Sequence, residues 1–166
     1  FLEISQEFLR FLMEDFEPRE CDPPFMAELA HYEWVELALD VSQDSFPVSA
    51  PMTSAASTIV VLSPLAWVLG YEWPVHQIGP GFKPEAPGEP CYLVVYRDAS
   101  DTVQFMALNA ATARLLELVR DGSHSVETLV NLLAEELNMP AASLLEFGAQ
   151  QLNQLCEQGV IYFKAE

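Results

Sequence analysis

Two short apolar runs flanking a cluster of turn formers constrain this chain more than any other feature. Residues 91–97 read CYLVVYR, residues 102–108 read TVQFMAL, and Asp98, Ala99, Ser100 and Asp101 lie between them. β-branched and aromatic residues suit an extended, half-buried surface, and Asp and Ser stabilise a tight reversal. The spacing predicts a β-hairpin. Alternation puts Val103, Phe105 and Ala107 on one face of the return strand and Gln104, Met106 and Leu108 on the other.

Helical signals follow at once. Asn109 is placed to cap a helix from Ala110 to Asp121, stopped by Gly122. Ser125 caps a second, Val126 to about Leu137, with Leu129, Val130, Leu132 and Leu133 inward. Pro140 opens a third, ending at Gly159, with Leu144, Leu145, Leu152 and Leu155 on its apolar stripe. Val160 to Phe163 reads as a short closing strand. A hairpin, three helices and a strand make a winged-helix-like layout, the last two helices forming a helix-turn-helix.

Upstream, Phe1 to Phe16 reads as an amphipathic helix with Phe8, Leu9, Leu12 and Phe16 at helical spacing. Asp22, Pro23 and Pro24 punctuate the start of another, running to about Val41. Residues 47–57, PVSAPMTSAAS, read as a loop. Thr58 to Leu62 is a β-branched strand and Ala66 to Trp73 a candidate second. The Gly- and Pro-rich stretch from Gly79 to Pro90 is the best internal boundary. The expected class is α+β: N-terminal helices, then a small β-sheet with a winged-helix-like C-terminal domain. Residues 1–57 are expected to be an acidic helical segment left from a larger N-terminal helical domain, and residues 58–166 the hairpin and three-helix domain. A chain that begins with Phe1 rather than Met fits a trimmed piece.

Charge narrows the partners. The chain has 166 residues and a net charge of −18, with 51 % hydrophobic residues, so it should fold while repelling phosphate on average. Residues 1–46 hold twelve acids and two bases, ten of those eighteen net charges. They form either a solvated face or a docking surface for a basic partner. From Asp121 through Phe163 there is no Lys or Arg, and the helix in the recognition position carries Glu146 and Glu157. A recognition helix needs cations for phosphate and guanine edges, so this fragment is not expected to bind DNA.

Other chemistries find no motif. There is no HExxH, GxSxG, Walker loop or GxGxxG. The three cysteines, Cys21, Cys91 and Cys156, are far apart, which argues against a disulfide framework or a zinc knuckle and fits a reducing cytosol. No cofactor, metal or catalytic residue is expected. An enzyme would need His31, His76 or Cys21 to converge in a cleft. The most apolar stretch, Thr58 to Leu69, is broken by Ser63 and Pro64, and no signal sequence opens the chain, so a cytoplasmic location is expected.

Three segments carry a resemblance: DPPFMAELAHYEWVELAL, SPLAWVLGYEWPVHQI and PCYLVVYRDASDTVQFMALNAATARLLELV. Together they resemble the HvfC family, whose members are described both as DNA-binding proteins and as RiPP maturation proteins of bacteria. The resemblance implies a non-catalytic adaptor for an iron-dependent TIM-barrel enzyme that modifies cysteines in a precursor peptide. It also implies a C-terminal part similar to PqqD-like elements, which bind a leader peptide as an added strand beside a hairpin. On this sequence the groove would lie between the strand Thr102–Leu108 and the helix Pro140–Glu157. Val103, Phe105, Leu144, Phe147 and Gln151 are the candidate peptide-binding residues, although Phe105, Leu144 and Phe147, each taken singly, read more readily as core. The alternative is a transcription regulator whose DNA-binding part lies in the N-terminal region, upstream of Phe1.

Overall fold

The computed structural model describes residues 2–165. Helix α1 (Leu2–Arg10) continues into a π-helical turn, Phe11–Asp15. Leu9 and Leu12 are buried, whereas Phe8, which the periodicity groups with them, faces solvent, as do Ile4, Phe11 and Met13. Phe1, where that helix was expected to begin, lies outside the described residues. Helix α2 (Met26–Asp40) starts three residues later than its punctuation suggests. Asp22 accepts a hydrogen bond from the Arg19 N–H, and the Met26 N–H donates to the Pro23 carbonyl. Asp22 and the two prolines therefore close turns of their own ahead of the helix.

Two strands come next, β1 (Thr58–Leu62) and β2 (Ala66–Tyr71). β2 stops short of Trp73 because the Glu28 carboxylate on α2 accepts the N–H groups of Glu72 (3.1 Å) and Trp73 (2.9 Å). The hairpin of β3 (Cys91–Arg97) and β4 (Val103–Leu108) follows, with Val95 opposite Phe105. β2 pairs with β3 from Ala66 opposite Tyr96 to Tyr71 opposite Cys91. The Gly- and Pro-rich connector 79–90 thus joins two paired strands of one sheet and does not separate units.

Helix α3 (Ala110–Asp121) carries the expected cap, Asn109 Oδ1 accepting the Thr112 N–H at 2.8 Å. A two-residue strand, β5 (His124–Ser125), precedes α4 (Val126–Glu136), which Ser125 caps through the Thr128 N–H. Helix α5 (Ala141–Gln158) ends at Gly159, whose φ of +86° is the left-handed conformation that closes a helix. The closing strand β6 (Ile161–Ala165) pairs with β1, not with the hairpin.

The strands thus form two three-stranded antiparallel sheets, ordered β5-β1-β6 and β2-β3-β4. The second is covered on both faces. One face contributes Ala66, Val94 and Tyr96 to the main core with α3, α4, α5 and β1, and Met106 and Leu108 pack against it. The other lies under α2, where Val95 packs with Val35 and Leu39, and Leu93 with Phe25 and Trp73. This explains four successive buried residues in β3, Leu93 to Tyr96, where a sheet with one wet face would alternate.

Candidate functional site

β4 is an edge of its sheet, with β3 as its only strand neighbour among the described residues. Antiparallel ladders alternate hydrogen-bonded and non-hydrogen-bonded pairs. The Asp98 N–H donates to the Thr102 carbonyl and the Arg97 N–H to the Leu65 carbonyl. In step with these, Gln104, Met106 and Leu108 bond to β3, and the backbone N–H and C=O groups of Val103, Phe105 and Ala107 point away from it. No backbone hydrogen bond reaches that outer side among the described residues. Elsewhere the linker before β1 closes an edge: on β6, the Phe163 N–H donates to Ser49 Oγ and the Ala50 N–H to the Phe163 carbonyl.

The turn that feeds β4 is held tightly. Asp98 accepts from the Ser100 hydroxyl (2.6 Å), the Ser100 and Thr102 N–H groups, and the Gln104 amide. These bonds, the Ser100 hydroxyl foremost, hold the Asp98 carboxyl below its ordinary range. Asp101 takes a left-handed conformation (φ +62°) that Asp tolerates.

The five candidate residues do not meet in one groove. Leu144, Phe147 and Gln151 line a small apolar dent of about 50 Å3 between α3, α4 and α5, with Leu115, Val130 and Leu137. Val103 and Phe105 project from the other face of the sheet. Val103 packs against the cluster of Val35, Leu39 and Val95, and the Phe105 ring lies 5.0 Å from that of Tyr32. The expected groove between β4 and α5 took the wrong face of β4: Met106 and Leu108, not Val103 and Phe105, face the core that α5 completes. Phe105 remains 36 % exposed and Phe147 60 % exposed, so neither is simply core. Gly148 permits a tight crossing, since a Cβ there would sit 2.7 Å from Val130 Cγ2.

An open groove also lies between α2 and the start of β4, lined by Glu33, Glu36, Leu37, Asp40, Asp101, Thr102 and Val103. Sequence reading missed these residues as a group. Their signal was the i, i+3, i+4, i+7 spacing of Glu33, Glu36, Leu37 and Asp40 on α2.

The remaining reactive side chains have separate partners. His31 Nδ1 lies 2.9 Å from the Tyr71 hydroxyl, and burial pushes the His31 pKa down and that of Tyr71 up. His76 Nδ1 lies 3.2 Å from Cys91 Sγ, whose thiol burial pushes up. Cys21 is exposed beside Asp22. Among the described residues, no group of three or more His, Cys, Asp or Glu side chains is arranged to hold a metal, and no helix is long and apolar enough to cross a membrane.

Residues 63–156, more than half of the chain, match the family model of the HvfC C-terminal domain. The chain belongs to the HvfC family. No curated protein matches it. The HvfC match begins at Ser63, directly after β1, and ends at Cys156, in the last turn of α5. It therefore contains the whole β2-β3-β4 sheet, helices α3 and α4, and α5 as far as Cys156. An HvfC-type domain fits an accessory role in maturation.

Proposed function

We propose that this HvfC-family chain is a non-catalytic adaptor that captures a precursor peptide by strand addition and presents it to a RiPP-modifying iron enzyme of TIM-barrel fold. The observation that carries this reading is the open edge of β4. An extended peptide would meet the outward backbone groups of Val103, Phe105 and Ala107, gaining affinity from main-chain hydrogen bonds and selectivity from flanking side chains. Phe105, half out of the core, and Val103 offer apolar footing beside that edge. Phe147 and Gln151, beside the dent on the helical side, offer a second contact for the peptide or the enzyme. The chain would act in a bacterial cytoplasm and need no cofactor of its own.

The test is co-purification of this chain with the iron enzyme and the precursor peptide encoded beside it. A stable complex with both, and no modification of the peptide by this chain alone, is the expected result. Failure to associate with either contradicts the reading.

A further inference from the structure

The groove on the α2 side of β4 combines an unpaired strand edge with a wall of one charge. Glu33, Glu36, Leu37 and Asp40 lie on one stripe of α2, and all four are exposed. With Asp101 and Val103 they enclose an open groove of about 440 Å3. Glu33, Glu36 and Asp40 make no ion pair among the described residues. The guanidinium that reaches this end of α2, that of Arg97, is committed to backbone carbonyls and to Asp101. Like charges at this helical spacing oppose one another, and α2 holds them because its opposite side buries Val35, Ala38 and Leu39.

This arrangement constrains what can pair with β4. A strand added to that edge turns alternate side chains toward α2. Acidic side chains there would meet Glu33, Glu36 and Asp40 without compensation, whereas cationic ones would neutralise them. A second copy of this chain, with net charge −18, is a poor partner for its own acidic edge. The apolar floor of Leu37 and Val103 favours a long aliphatic stem beneath the charge, as in Lys and Arg.

We infer that the strand captured at the β4 edge carries Lys or Arg at alternate positions, facing Glu33, Glu36 and Asp40 of α2. The inference rests on strand addition at β4 as proposed above, and adds its charge selectivity.

The probes are two ten-residue peptides, one alternating Lys with Val and Thr, the other identical but with Glu for every Lys. Each is titrated into 15N-labelled protein at low salt while backbone amides are followed by NMR. The Lys peptide should shift the amides of Val103, Phe105 and Ala107 and those of residues 33–40, and the Glu peptide should not. The E36Q/D40N variant should weaken the Lys peptide about fivefold or more. The E146Q/E157Q variant, which removes the same charge from α5, should leave it within about twofold. Equal weakening by both variants would overturn the inference, because attraction would then follow net charge alone. Equal binding of the Glu peptide at β4 would overturn it while leaving strand addition standing. Shifts confined to α2, with the β4 amides unmoved, or no shifts with either peptide, would overturn it as well, the first of these also removing strand addition at this edge.

Discussion

Arg97 shows how much a single side chain can organise in an acidic protein with few bases. Its Nη1 donates to the carbonyls of Leu39, Asp40 and Ser42, its Nη2 to that of Asp44, and its Nε pairs with Asp101 at 3.1 Å. One guanidinium thus satisfies the last carbonyls of α2 and pins the start of the linker to the end of β3. Arg97→Met should cost about 2–4 kcal/mol, read from the urea midpoint, with Arg97→Lys recovering less than half because an ammonium cannot span these acceptors. His31 makes a separate prediction at the same scale. Burial holds its pKa below the ordinary 6.5, with Glu28 partly opposing. The unfolded chain therefore takes up the proton first as pH falls through about 6.5, and stability drops from there downward while remaining full above it. The urea midpoint should fall between about pH 7.5 and pH 5.5, and fall less in His31→Gln, which keeps a hydrogen-bonding partner for Tyr71. Nothing in the sequence pointed to either role. Both depend on contacts between residues about 40 or more apart in the chain.

At the scale of elements, local chemistry made the C-terminal half legible. The hairpin of β3 and β4, the caps at Asn109 and Ser125, and the stop at Gly159 all appear where their residue types demand. Errors arose where one signal served another structure. Asp22 and Pro23 have the chemistry of a helix start but close preceding turns, and Glu28 diverts the end of β2 from a helix far upstream. Gly148, inside α5, is a packing requirement against Val130. Gly148→Ala adds a methyl against buried Val130, costing about 1–3 kcal/mol of overpacking against about 1 kcal/mol gained in helix propensity. A net loss of stability on thermal unfolding is expected. In a Val130→Ala background, where the obstructing methyls are gone, the same substitution should stabilise. Equal effects in both backgrounds would show that the two helices do not meet as described.

At the scale of the whole molecule, the class was legible and the topology was not. Alternation cannot say which of two faces meets a helix, so β4 was read with Val103 and Phe105 toward α5, when α2 covers that face and α5 closes the core on the other. Nor could it show that the closing strand returns to β1, leaving β4 as an open edge between an acidic helix and an apolar bundle. That edge is the centre of the functional account, and one substitution isolates it. Ala107 is exposed and its N–H points outward, so Ala107→Pro removes an outer donor without breaking the β3–β4 ladder, in a position where an edge strand tolerates proline. The decisive measurement is the affinity of the precursor peptide for wild type and for Ala107→Pro, with thermal stability measured alongside. Strand addition at β4 predicts a loss of about tenfold or more in affinity at nearly unchanged stability, together with amide protection at Val103 and Phe105 in the wild-type complex. Unchanged affinity in Ala107→Pro, or protection appearing at the β2 edge around Val68 and Gly70 instead, would contradict it.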